Sequence, residues 1–268
     1  MAATNSEVIQ ASMNNEAEKS GARSAIILLV IVLLLAGYSV EFGLQTLAWA
    51  EARHWAGINP WLNDVPQPLP APATPATPAA KGTQVKAYDF QFTAPWAISK
   101  ITPSLNFVDV HFEPGQVITF FGPDTQLDTL RELRNSNPAE YQKFMTVFAE
   151  HPIESNYEIY QAVYSVSPAQ LSPFLRQRDA LRINSLLLWK LSFGTEGGAG
   201  IFSFDFGKNH GFQFGDPAKG PAALRVFDDR GHQFRFIFTT TAGSSAKITQ
   251  DDIDRAVQTL EPVPILER

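Results

Sequence analysis

The segment GIFSFDFGKNHGFQFGD, residues 200–216, contains two runs in which phenylalanine alternates with other residues. A third run of this kind, QFRFIF, follows at residues 233–238. Successive side chains of a β-strand point to opposite faces, so the alternation predicts three strands that each place their rings on one side. We expect the rings to share one aromatic core face. They are Phe202, Phe204, Phe206, Phe212, Phe214, Phe234, Phe236 and Phe238.

Helix signals flank these strands. The segment 137–140 combines an asparagine cap with proline at the first helical position and glutamate at the third. Ser155 and Glu158 frame a second helix start, and Thr249 is expected to cap a C-terminal helix. The order of strands, several helices, strands and a final helix indicates an α+β fold, an antiparallel sheet with packed helices.

In element order and size, residues 85–262 resemble the PsbP/Mog1-type sandwich. The resemblance is carried by Phe92, Pro95 and Trp96 early in the segment, a late hairpin and a terminal helix. It implies an α/β/α layer arrangement and no functional residues.

A membrane anchor is predicted upstream. The run SAIILLVIVLLLAGYSV, residues 24–40, has no charge between Arg23 and Glu41. As a helix at ~1.5 Å per residue it would span roughly 25 Å, near the lower limit for crossing a bilayer core. The uncharged character resumes after Glu41, so we predict a single transmembrane helix with an interfacial extension over residues 24–50.

Charge on either side of the run sets the expected orientation. Lys19 and Arg23 precede it, whereas Glu41 and Glu51 follow. The positive-inside bias then makes residues 1–23 a cytoplasmic tail and places the rest of the chain outside the cytoplasm, in the periplasm of a Gram-negative cell.

A cleaved signal peptide is the alternative to a retained anchor. Ala48-Trp49-Ala50 matches the small-x-small pattern of a cleavage site. The site would follow the apolar run only after the segment 41–50, and a polar tail precedes the run, so we favour retention.

Six prolines between residues 66 and 78 predict an extended polyproline segment. We interpret residues 51–84 as a Trp/Pro-rich linker, a semi-rigid stalk that joins the anchor to an extracytoplasmic domain over residues 85–268.

Composition excludes several classes of function. The net charge is −6 and no run of lysine or arginine occurs, which argues against a nucleic-acid partner. Cysteine is absent, so disulfides, thiolate metal sites and cysteine nucleophiles are excluded. The five histidines share no ligand spacing, and we expect neither a metal site nor a cofactor.

The least ordinary surface candidate is the segment 208–216. Lys208, His210, Gln213 and Asp216 can donate, accept or titrate beside aromatic rings and glycines, as in a ligand-binding loop on a rigid sheet. The alternative is a glycine-permitted bulge with a satisfied histidine.

These observations together predict an interaction or accessory module of the cell envelope rather than an enzyme, with the lipid bilayer and an envelope or membrane protein as partners. The alternative is a tethered enzyme or small-ligand-binding domain centred on His210 and Asp216, with Asp205 beside them.

Overall fold

The structure is a computed structural model that describes residue 37 and residues 42–70, 82–122, 129–149, 153, 155–193 and 200–263. The helices among them are α1 (42–58), α2 (Thr129–Ser136), α3 (Pro138–Val147), α4 (Asn156–Ser165), α5 (Gln177–Phe193) and α6 (Gln250–Gln258). The strands are β1 (Gln67–Pro68), β2 (Thr83–Ala87), β3 (Phe90–Ala94), β4 (Ala97–Pro103), β5 (Phe107–Glu113), β6 (Gln116–Phe121), β7 (Ile201–Asp205), β8 (Asn209–Phe214), β9 (Ala222–Asp228), β10 (Gln233–Thr240) and β11 (Glu261–Pro262). Short 3-10 turns occupy Pro60–Asn63 and Pro168–Gln170.

One large sheet organises the fold. Its eight strands follow the order β1-β7-β8-β9-β10-β6-β5-β4. Neighbours are antiparallel except β1, which pairs with β7 in parallel. A separate antiparallel sheet has the order β11-β3-β2. The described residues therefore form a mixed α+β structure with a large sheet and several helices, as the sequence predicts.

Two apolar cores lie on opposite faces of the large sheet. On one face, α6 and the three-stranded sheet cover an aromatic cluster in which Phe92 contacts Phe236 with ring centroids 5.3 Å apart. On the other face, helices α1, α3, α4 and α5 pack over strands β7 to β9, with Tyr160 and Tyr164 of α4 buried between the helices and the sheet. We call these faces the α6 face and the helix face.

The expectation of one shared aromatic face is wrong. Phe204 and the three phenylalanines of β10 belong to the core on the α6 face, whereas Phe212 and Phe214 belong to the core on the helix face. The β7–β8 register explains the split, because it pairs Phe212 with Ser203. A one-residue difference in pairing moves a side chain to the opposite face of a sheet.

The predicted helix starts at Asn137, Ser155 and Thr249 are confirmed. The Asn137 side chain accepts a hydrogen bond from the backbone N–H of Glu140 at 3.3 Å. Ser155 forms a reciprocal capping box with Glu158. Thr249 forms another with Asp252. These caps satisfy N–H groups that have no partner inside the helix, and they do so with residues close in sequence.

Part of the predicted linker lies in the packed body. Ala52 in α1 belongs to the core on the helix face, and Leu62 in the following turn is only 1% exposed. Strand β1 pairs with β7, and the N–H of Leu69 donates to the carbonyl oxygen of Ser203 at 2.8 Å. Packed elements therefore stand on both sides of the proline-rich segment 71–81, which itself lies outside the described residues.

The uncharged run 24–40 lies outside the described residues, apart from Gly37. None of the helices that the structure describes is both long and apolar enough to span a membrane. The transmembrane helix and the domain division therefore stay predictions.

Candidate functional site

His210 is a residue of β8, and its side chain lies on the helix face of the large sheet. Its ring meets Tyr157 of α4 edge-on, with centroids 4.3 Å apart, and lies beside Phe227. Across the hairpin it is paired with Asp205. Burial lowers the pKa of His210, although the carboxylates of Asp205, Asp228 and Asp229 oppose this shift. The imidazole is therefore neutral at pH 7 and packs as an aromatic ring.

Two buried amides of β8 point to the α6 face instead. The side-chain amide of Asn209 donates to the carbonyl oxygens of Val257 at 2.7 Å and Leu260 at 3.0 Å. These carbonyls lie at and just beyond the C-terminal end of α6, and that of Val257 also accepts from the N–H of Leu260 at 3.2 Å. Gln213 exchanges hydrogen bonds of 2.8 and 2.9 Å with the side chain of Gln250. Asn209 and Gln213 thus attach α6 to the sheet.

Asp216 lies beyond the other end of β8, in the turn before β9. It forms a 3.0 Å ion pair with Lys219 and accepts a 3.0 Å hydrogen bond from the N–H of Ala218. The hydrogen bond from Lys219 is the main reason that its pKa is lowered. His210 and Asp216 are separated by the length of the strand, so the structure does not bring them into one site.

Lys208 lines a surface cavity of about 470 Å³ at the turn between β7 and β8. Charged and apolar side chains share its wall. The charged residues of the wall include Asp228, Asp229, Arg230 and Glu261, and the apolar residues include Phe90, Phe234, Leu260 and Pro262. Of the four predicted site residues, Lys208 alone lies here.

An aspartate–histidine pair stands next to this cavity. Oδ2 of Asp228 lies 2.7 Å from Nδ1 of His232, and Oδ1 accepts from the N–H groups of Arg230 and His232. The His232 ring is edge-on to Phe90 of the cavity wall at 5.4 Å. A carboxylate at Nδ1 orients an imidazole so that Nε2 can accept a proton or bind a ligand. Asp228 thus holds both the backbone of its turn and the ring of His232.

Lys190 is a buried cation that sequence reasoning missed. It lies in the apolar run LLLWKLSF of α5, and its side chain is 0% exposed. Its ammonium donates to four carbonyl oxygens, those of Leu62, Asp64, Tyr164 and Val166, at 3.3, 2.5, 3.2 and 2.7 Å. Burial lowers its pKa to about 8, against the opposing charge of Asp64.

The four acceptors of Lys190 come from two separate segments. Two carbonyls belong to the chain that follows α1, and two lie at the C-terminal end of α4, where the helix dipole favours a positive charge. The ammonium is still charged at pH 7 and is enclosed by backbone, so it links the segment 62–64 that follows α1 to the C-terminal end of α4.

A scan against protein-family models gives no match to the chain, and a search of curated proteins gives none either. Across the described parts of the chain, no group of three or more histidine, aspartate or glutamate side chains could hold a metal ion.

Proposed function

We propose that the chain is a single-pass, membrane-anchored accessory protein of the cell envelope whose folded body binds a partner outside the cytoplasm. One observation carries the proposal. The uncharged run 24–40 leads, through Glu41 alone, into α1, and α1 packs into the body through Ala52 and Trp49. An anchor connected in this way keeps the body at the membrane, where its effective concentration toward membrane partners is high.

The packing of α1 also supports retention of the anchor. The possible cleavage site at residues 48–50 lies within this helix. Cleavage after Ala50 would remove Trp49, which packs against the core on the helix face, and Phe42, whose ring contacts Phe174. The mature body would lose part of its own helix layer.

The layer order supports a finer fold assignment. Helices cover one face of the large sheet, while α6 and the small sheet cover the other. We therefore include in the proposal that the body is a PsbP/Mog1-like α/β/α sandwich.

Membrane fractionation tests the anchor. The full chain, expressed in a Gram-negative host, is expected to stay in the membrane pellet after an alkaline carbonate wash and to keep its original N-terminus. Protease added to spheroplasts should degrade the body and spare a cytosolic marker. A soluble mature chain that starts near Glu51, or a body that resists protease until the spheroplasts are lysed, would contradict the proposal.

A second candidate function, a tethered small-ligand-binding domain or enzyme, is favoured by the cavity beside His232. Lys208 and Arg230 could bind a carboxylate, Asp229 and Glu261 an ammonium group, and the partly exposed Pro262 and Val263 an apolar ring. His210 and Asp216 do not line this cavity: His210 faces the other side of the sheet, and Asp216 lies beyond the far end of β8.

Aromatic amino acids combine a carboxylate, an ammonium group and an apolar ring, so they are suitable ligands with which to test this cavity first. Phenylalanine at millimolar concentration is expected to raise the melting temperature of the full chain in detergent by a few degrees, and the Arg230→Ala variant should lose most of this rise. No rise in the wild type, or an equal rise in the variant, would remove this candidate.

A further inference from the structure

Phe174 is a large apolar side chain that is exposed to solvent and not buried in either core. It lies in the loop between α4 and α5 and is 81% exposed. Its ring contacts Phe42, with centroids 5.8 Å apart, at the start of the described part of α1. Only Glu41 separates Phe42 from the uncharged run. The exposed ring therefore sits where the chain would leave the membrane.

Two exposed leucines lie on α1 near the level of Phe42 but on the other side of the helix. Leu44 and Leu47 are 61% and 68% exposed. At ~1.5 Å and ~100° per residue, they lie roughly 3 and 7.5 Å further along the helix axis and about opposite Phe42 around it, so they share its depth in the bilayer and not its face. Exposed side chains of this size at one end of a body, next to a hydrophobic segment, are typical of a membrane-contacting surface.

Polar and interfacial residues begin next to this surface. Arg176 follows Phe174 by two residues and is exposed, in a position to reach lipid phosphates. Further along α1, the guanidinium of Arg53 lies over the Trp49 ring at 4.6 Å. Tryptophan and arginine are the residues that occupy the headgroup layer above a buried segment. Along α1, Leu44 and Leu47 precede Trp49 and Arg53, which is the order expected where a helix leaves the bilayer.

We propose that Phe174, with Leu44 and Leu47, inserts into the outer interface of the phospholipid bilayer and holds the body against the membrane beside its anchor. This inference rests on the proposed anchor and adds a second contact to it. A single anchoring helix would leave the body free to change its orientation relative to the membrane. A second insertion point, on a different loop, fixes which side of the body faces the lipid. Because Glu41 alone separates the run from Phe42 in the sequence, a bilayer around the run would lie close to Phe174.

Single-cysteine labelling of the full chain tests the contact, since the chain has no native cysteine. Cysteine is placed at position 174 or, as a matched control, at Leu105, which is 94% exposed in the turn between β4 and β5 at the far edge of the sheet. Each variant carries an NBD fluorophore in vesicles of phosphatidylcholine and phosphatidylglycerol. The label at 174 should emit at shorter wavelength, and spin-labelled lipid should quench it about twofold or more above the control.

The outcomes separate this contact from the anchor. If the label at 174 is as accessible to aqueous iodide as the control while the chain floats with alkaline-washed vesicles, the insertion is refuted and the anchor stands. Shielding of the label from both iodide and lipid-borne quencher would mean that a second copy or another protein covers Phe174, which also refutes it. A chain that does not float at all refutes the anchor and this inference together.

Discussion

Replacement of Lys190 by methionine is expected to lower the free energy of unfolding by about 3–5 kcal/mol. Methionine fills a similar volume but donates no hydrogen bond, so it leaves the four carbonyl groups around the ammonium without their donor. The loss exceeds the gain from no longer burying a charge, since several acceptors remain enclosed. Urea unfolding of the full chain in a non-ionic detergent, followed by circular dichroism, measures the change.

Lys219→Met is the matched control for this substitution. The Lys219 side chain is 77% exposed and makes a surface ion pair with Asp216. Surface pairs of this kind contribute at most about 1 kcal/mol. Equal effects at positions 190 and 219 would contradict the burial of Lys190 and its role as a link between the segment 62–64 and the end of α4.

The pH dependence of Lys190→Met has a defined sign. The pKa of Lys190 is about 8 in the folded chain against an ordinary value of 10.5. Between these values the unfolded chain binds a proton that the folded chain does not, so stability due to this group rises with pH. The difference in unfolding free energy between wild type and variant should be flat below pH 8 and grow from there toward pH 10.5. A difference that stays flat throughout would refute the lowered pKa.

Gly211→Ala is expected to destabilise the chain by about 3 kcal/mol. A Cβ atom at this position in β8 would overlap the carbonyl oxygen of Arg225 in β9 and would lie 3.1 Å from the ring of Phe204. The backbone of a central strand cannot move away without breaking ladder hydrogen bonds on both sides. Urea unfolding in the same detergent measures the loss.

Gly220→Ala is the control for this backbone contact. A Cβ atom at Gly220 meets nothing within 4 Å, and its backbone lies outside the left-handed region. Its expected effect is within about 0.5 kcal/mol. If Gly211→Ala is tolerated equally well, the register of β8 against β9 is wrong, and with it the assignment of Phe212 to the helix face.

Local signals in the sequence predicted local structure correctly. The caps at Asn137, Ser155 and Thr249 bond to backbone groups three residues away, so the sequence contains both partners. The alternation in QFRFIF specifies a strand in the same way, because a period of two belongs to the strand itself. These signals were sufficient for the α+β class.

The candidate site required contacts that no local pattern encodes. His210 and Asp216 looked like one loop because six positions separate them, but an extended strand places them at its two ends. Asp228 and His232 are separated by fewer residues and meet because a hairpin turn folds between them. The segment 208–216 has the composition of a binding loop. Its composition does not show that the side chains of Asn209 and Gln213 point inward and bond to α6 and the residues after it.

The sequence by itself determined the helix starts at Asn137, Ser155 and Thr249, the phenylalanine-rich strands, and that an uncharged run precedes the body. Only the tertiary structure decided which face each phenylalanine occupies, which carbonyls surround Lys190, and that α1 belongs to the body. The reason is physical: periodicity and capping act over a few residues, whereas strand register and burial depend on partners that are distant in the chain. Lys190 illustrates this, since its acceptors lie between 24 and 128 residues away.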